Sequence, residues 1–219
     1  MASVFTSGKD DNPLSMSGAE LLVLPIQGIP ISFEQFEEHA VKLDDGTFAV
    51  KFVVAGRNYR DSTGKLLRES ETRDNAGNVL ASLSIVTDPV NGFQTVLLGT
   101  ERIAARMKIP ISTASEPRFS FARSLDPSHK WKTTTEDAGK RTIEGFAFEG
   151  ARFTQTADDN PHLVHTAERW FCDELKLIGA VASSGPEEAY TIRIQNLRRE
   201  EPDPKLFEIP ANFTIVEAK

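Results

Sequence analysis

From Phe48 onward the chain alternates between apolar and polar positions. Phe48, Val50, Phe52 and Val54 fall on one side of a period-two pattern, with Lys51 and Arg57 on the other. Val79, Ala81, Leu83 and Ile85 repeat it, with Ser82 and Ser84 facing away. Side chains alternate across a pleated strand, so each stretch predicts a strand with one buried face. The same character returns over residues 141–156, 163–171, 175–182 and 190–198. Turn clusters punctuate the strands: Asp44-Asp45-Gly46, Asp61-Ser62-Thr63-Gly64, Asp74-Asn75-Ala76-Gly77 and Asp88-Pro89-Val90-Asn91-Gly92. Asp and Asn there can bond their own backbone, and Gly can take positive φ. Two corners echo each other as Arg60-Asp61-x-x-Gly64-Lys65 and Arg73-Asp74-x-x-Gly77-Asn78. Short strands joined at such corners predict an all-β chain built as an antiparallel meander.

Residues 32–41 carry two patterns at once. Phe33, Phe36 and Ala40 recur at helical spacing, and Ser32 with Gln35 stands as a capping box. As the first arm of a hairpin closing at Asp45-Gly46, the same residues form a strand, and that reading is adopted. Residues 112–138, low in aliphatics and containing Pro117, Pro127 and Lys-Trp-Lys-Thr-Thr-Thr, predict a polar excursion between two halves of one sheet. Residues 1–18 predict a loose arm before a single β-rich domain over 19–219. Asp203-Pro204-Lys205-Leu206-Phe207 predicts a short helical turn capped by Asp203, with Pro204 where its missing N–H costs nothing and Pro210 closing the segment. One or two short helices are therefore expected.

Composition narrows the function classes. A length of 219 residues fits one large all-β domain or two small ones, and a hydrophobic share of 39% is ordinary for a packed domain. A formal net charge of -7, without any dense Lys/Arg cluster, argues against nucleic acid as a partner. The single cysteine, Cys172, excludes an internal disulfide and a multi-cysteine metal site, and reads as a small buried apolar residue. No stretch approaches the roughly 20 apolar residues that span a bilayer. The longest apolar run, 19–31, is broken by Pro25, Gly28 and Pro30. The polar start predicts either a cytoplasmic protein or a mature form whose leader has been removed.

Candidate chemistry is sparse. His162 and His165, with Asp158 and Asp159 upstream, are the one cluster resembling metal ligands, and they would support a metal-dependent hydrolase. Positions three apart on a strand face opposite sides, so one ion could hold both histidines only on a curled loop. Glu144 with Glu149, or Glu168 with Glu174, could be paired carboxylates for acid–base work, but their spacing fixes no separation. Ser183-Ser184-Gly185 lacks the Gly-x-Ser-x-Gly elbow, and there is no phosphate loop or dinucleotide fingerprint. Gly145 and Gly150, read as lying within a strand pair, suggest bulges or close backbone approach. Trp131 and Trp170 read as packing residues. No catalytic, metal or cofactor-binding residue is assigned, and the ligand-binding residues are left open.

Two blocks carry a family resemblance. The first is Tyr59-Arg60-Asp61-Ser62-Thr63-Gly64-Lys65-x-x-Arg68-Glu69, continuing to Ile85-x-x-Asp88-Pro89-Val90-x-Gly92. The second runs from Gly139-x-Arg141-Thr142-Ile143-Glu144-Gly145 and Glu149-Gly150-x-Arg152-x-Thr154 through Glu168-Arg169-Trp170-Phe171 to Asn196-Leu197-x-Arg199-x-Glu201-Pro202. Together, over about residues 30–215, they resemble a family of uncharacterised bacterial proteins that usually carry an export signal. The closing Asp203-Pro204-x-Leu206-Phe207-x-Ile209-Pro210 is also similar to the end of outer-membrane lipoprotein-carrier proteins. That resemblance implies a curved, incomplete antiparallel barrel whose concave apolar face holds a lipid or another apolar molecule. It implies a non-enzymatic carrier in a periplasmic or secreted setting, without a cofactor. Two other classes stay open: a hydrolase built on the His162/His165 region, and an interaction module that pairs through an exposed sheet edge.

Overall fold

The Asp-and-Gly clusters are the corners of the fold in the computed structural model, which describes residues 23–99, 101–109 and 128–217. Asp61 Oδ1 accepts from the backbone N–H groups of Thr63 and Lys65, and Asp74 Oδ1 from those of Ala76 and Asn78. Gly64 and Gly77 close the two loops with φ of 88° and 87°. The echo in the sequence is therefore one turn made twice. Asp88 repeats the device with the N–H groups of Val90 and Asn91, and Lys65 Nζ lies 3.2 Å from its other carboxylate oxygen.

Between the corners run twelve strands among the described residues. The first six are β1 (Ile31–Lys42), β2 (Phe48–Arg60), β3 (Leu66–Asp74), β4 (Val79–Asp88), β5 (Phe93–Leu98) and β6 (Ile103–Lys108). The rest are β7 (Trp131–Ile143), β8 (Phe146–Ala157), β9 (Asn160–Cys172), β10 (Leu177–Ser184), β11 (Glu188–Arg198) and β12 (Thr214–Glu217). They form one sheet in the order β12-β6-β5-β4-β3-β2-β1-β11-β10-β9-β8-β7, curved and not closed into a barrel. Two meanders thus spread outward from the centre, joined where β1 pairs antiparallel with β11. β12 is the exception: it returns to the far edge and pairs parallel with β6.

The residues at 32–41 are strand throughout, as the hairpin reading expected. Helical spacing loses here because β1 is bonded on both sides, to β2 and to β11, and central pairing outweighs a local capping box. The face bearing Phe33 is the core: Ile31, Phe33, Phe52, Val54, Val181, Ile192 and Ile194 are all buried. The Phe36 face has its own smaller buried set, Leu67, Val86, Thr95 and Ala104.

The excursion expected at 112–138 is corrected in part. Residues 112–127 lie outside the described residues, as does the arm at 1–18, but Trp131 onward is the long edge strand β7. Its run Lys-Thr-Thr-Thr-Glu-Asp is exposed on both faces, so it has no apolar alternation to read. Gly145 is also not within a strand. Glu144 and Gly145, with φ of 50° and 85°, make the two-residue β7–β8 turn, whose positive φ values match the strand twist. Gly150 does mark a close approach, since a Cβ there would sit 2.9 Å from the Trp170 ring. The helical turn Pro204–Phe207 is present as a 3-10 turn; Asp203 caps it by accepting from Lys205 N–H.

The pieces meet at Arg60, whose side chain is fully buried. Its guanidinium donates to Ile29 O at 2.7 Å, Leu24 O at 2.9 Å and Leu175 O at 2.7 Å. One side chain thereby ties the segment before β1, the end of β2 and the β9–β10 corner. Burial pushes its pKa down to about 10, which leaves it charged at neutral pH. Arg60→Met strands three buried carbonyls and should cost about 3–5 kcal/mol, lowering Tm by roughly 10 °C. Arg60→Lys, lacking the planar fork, should fall between wild type and Arg60→Met in a calorimetric scan.

Asp88 gives the fold an acid-sensitive corner. Burial alone would raise its pKa, but hydrogen bonds from the Asn91 backbone and side chain, together with Lys65, bring it below the usual Asp value. Its stabilising contribution is therefore complete above the unfolded value of about 3.9 and lost as pH falls through the lower folded value. Asp88→Ala should melt below wild type at pH 7, and the gap should close when the two are compared near pH 2.

Candidate binding cleft

After β11 the chain does not stop at the sheet centre. Glu201 accepts hydrogen bonds from Ser62 N–H and Oγ, the 3-10 turn passes over β3, and β12 docks at the β6 edge. Residues 199–213 thus lead from β11 to the far edge of the first meander, and residues 205–213 face the Phe36 side of the sheet. Between this crossing segment and the sheet lies a cleft of about 820 Å³. Its floor is Phe36, Ala55, Leu67 and Leu97, and its roof includes Leu206, Pro210 and Phe213.

Strand alternation explains why these residues converge. Phe36 pairs with Ala55, Ala55 with Glu71, Leu67 with Val86, and Ser84 with Leu97, so all point to the same side. Charged groups ring the apolar floor: Glu34, Arg57, Glu69 and Glu71 from the sheet, Lys205 and Glu208 from the crossing segment. Glu34 accepts from Asn196 Nδ2 at 2.8 Å and from Gln195 Nε2, and these bonds hold its carboxyl below the usual range. The Tyr59 phenol beside the rim is pushed up by burial and then by the Glu69 carboxylate.

A second polar group lies on the core face. The buried Glu37 carboxylate accepts from Gln35 Nε2, from Arg68 Nη2 at 2.9 Å and from His39 Nε2 at 3.1 Å. Asn58 Nδ2 donates to Gln35 Oε1, and the His39 ring stacks on Phe52 with centroids 4.4 Å apart. The network bridges β1, β2 and β3 within the core, where a charge persists only when paired.

The sequence-derived candidates do not assemble. His162 is exposed, whereas His165 is half-buried against Trp131, with ring centroids 5.2 Å apart. Asp159 pairs instead with His129 Nδ1, at 2.9 Å. Among the described residues no three His, Cys, Asp or Glu side chains gather as metal ligands. Glu149 bonds Lys140, Glu168 bonds Arg152 and the Trp170 indole, and Glu174 bonds Arg199, so each carboxylate serves its own partner. Cys172 is buried, and that burial raises its thiol pKa. Trp170 packs in the core, with the Arg141 guanidinium 4.0 Å from its ring centroid. The edge strand β7 carries Lys132, Lys140 and a register shift between Asp137 and Gly139, features that discourage strand addition.

The cleft was not foreseeable from any one motif. Its lining comes from five strands and a segment more than 100 residues away. Of the alternating apolar positions named in the sequence for β2 and β4, only Phe52 and Val54 are buried, while Phe48, Val50 and Val79 are exposed and the buried residue of β4 is Val86 on the other face.

No family model matches the chain, and no curated protein matches it. Among solved structures it is similar to the MucA/MucB complex of Pseudomonas aeruginosa at 13% identity, covering 84% of this chain and 58% of that one, with a TM-score of 0.39. It is similar to the lipoprotein LppX of Mycobacterium tuberculosis at 13% identity over 78% and 88% of the two chains, TM-score 0.36. A candidate outer-membrane lipoprotein-sorting protein domain from Vibrio parahaemolyticus matches at 7% identity over 86% and 93%, TM-score 0.35. The chain spans less than two thirds of the MucA/MucB chain it matches. Identities and TM-scores at this level leave the functional argument to the chain's own residues.

Glu37→Leu tests the core network. It leaves the Arg68 guanidinium without its carboxylate, and should cost about 3–5 kcal/mol by chemical denaturation. The double change Glu37→Leu with Arg68→Met should recover much of that loss.

Proposed function

We propose that this is a non-enzymatic binding protein that shelters an apolar ligand, an acyl chain or a lipidated partner beneath its crossing segment. The observation that carries the reading is the cleft itself. Its volume of about 820 Å³ lies within the roughly 300–1,000 Å³ typical of small-molecule sites, and it has an apolar floor and roof with polar groups at the margin. The face around Phe33 is a buried core, and in this reading the ligand lies on the opposite face, beneath the crossing segment. The resemblance of the closing element to lipoprotein carriers agrees with an apolar cargo and implies an exported, periplasmic setting for it.

Native mass spectrometry and lipid extraction of the freshly purified protein should recover bound amphiphile. Titration with decyl maltoside, kept below its micelle concentration, should show one saturable site. Leu206 is partly exposed on the crossing segment, so Leu206→Ala should leave the fold intact while weakening binding roughly fivefold, or about 1 kcal/mol of lost apolar contact. Absence of saturable binding would defeat the reading.

A further inference from the structure

The segment that roofs the cleft is held unevenly along its length. At its start Glu201 accepts from Ser62 N–H and Oγ, both at 3.1 Å, and Pro202 is buried. From Asp203 to Glu217 no residue is buried. Among the described residues, the hydrogen bonds of 203–213 close inside the segment: Lys205 N–H to Asp203 Oδ1, Leu206 N–H to Asp203 O, Glu208 N–H to Lys205 O and Phe213 N–H to Pro210 O. Its far end is fastened by β12, four exposed residues paired parallel with β6. Parallel pairing is slightly the weaker kind, and few buried contacts mark the parts of a fold that open locally. Two further contacts complete this dock. Thr214 N–H donates to Arg102 O at 2.8 Å, and Arg102 stands at φ of 53°, a left-handed conformation that is costly for a residue with a Cβ. Glu217 accepts from Arg106 Nε and Nη2 at the surface.

We propose that residues 203–217 act as a strap, hinged at Pro202 and latched by β12 on β6, which swings off the Phe36 face to admit and release the ligand. This rests on the binding reading above and adds the route by which the cleft fills. Opening breaks the short β6–β12 ladder, the Thr214–Arg102 bond and the Arg106–Glu217 pair, and leaves the core around Phe33 untouched. Leu206, Pro210 and Phe213 move with the strap, while Phe36, Leu67 and Leu97 stay on the sheet. A ligand held between the two sets leaves only as fast as β12 lets go.

Hydrogen exchange on the ligand-free protein tests the latch by itself. The β12 amides bonded to β6 should exchange about 100-fold faster, or more, than those of β1 and β2. Ala105→Cys combined with Val216→Cys puts two thiols on register partners, where a disulfide can close across the latch. Exchange of decyl maltoside between free and bound forms, read by NMR relaxation below its micelle concentration, should slow about tenfold in the oxidised variant and recover on reduction. Unchanged protection of β1 and β2 shows that this variant is folded. Glu217→Gln tests the latch without a cross-link: it should speed both β12 exchange and ligand dissociation about threefold. Protection of β12 equal to that of β1, or ligand exchange that the closed disulfide leaves unslowed, overturns the strap, while saturable binding keeps the binding reading. If the reduced protein shows no saturable binding, both fall together.

Discussion

The buried guanidinium of Arg60 is the constraint on which the rest of the sheet depends. A twelve-stranded open sheet has no closure to hold its middle, and its first strand must be delivered to the centre, not an edge. Arg60 does this by bonding the carbonyls of Leu24 and Ile29, just before β1, and of Leu175, at the corner of the opposite meander. The same corner is reinforced where Val23 bridges to Leu177 and Gly28 N–H donates to Ser62 O. Gly64 lets the β2–β3 loop lie against this segment: a Cβ there would meet the Pro25 carbonyl at 3.2 Å, and the residue already needs positive φ. Desolvating a guanidinium is costly, and three short carbonyl contacts are the compensation that makes it tolerable.

Centring β1 in this way gives its two faces different roles. The Phe33 face receives aliphatic residues from both meanders and becomes the core, with Glu37, Arg68 and His39 as its paired polar insert. The Phe36 face is left to the last part of the chain, because β11 ends beside the start of β1 and the segment after it must reach the far side of β6. The cleft is a consequence of that route. A segment carrying Pro202, Pro204 and Pro210 cannot pair as a continuous strand, so it spans the sheet without sealing against it.

Much of the first meander was legible because its corners are largely self-contained: Asp61 and Asp74 bond within their own loops, Asp88 adds a contact to Lys65, and local sequence is enough to specify the turns. The capped turn at Asp203 was legible for the same reason. β7 was not, since an edge strand exposed on both faces has no apolar period and its Thr-rich run looks like a loop. Residues 32–41 were ambiguous because the deciding partner, β11, lies some 150 residues on. The role of Arg60 was invisible, as nothing in the sequence says that its partners are three distant carbonyls. The candidate site failed in the sequence for a related reason. Aliphatic alternation located the strands but not their buried face, since Phe48, Val50 and Val79 are exposed and β4 buries Val86 on its other side.

The roof of the cleft is lightly held. The 3-10 turn buries no residue, β12 is exposed at all four positions, and its side-chain tie is the ion pair of Arg106 with Glu217. Surface pairs of this kind contribute little, on the order of 1 kcal/mol or less. On the binding reading proposed above, a molecule in the cleft would touch both the floor and this segment, which would link its binding free energy to the docking of the segment. By that reading, loosening β12 would weaken binding through the same coupling by which a ligand would steady β12, and the parallel pairing at the β6 edge would then contribute to binding as well as bounding the sheet.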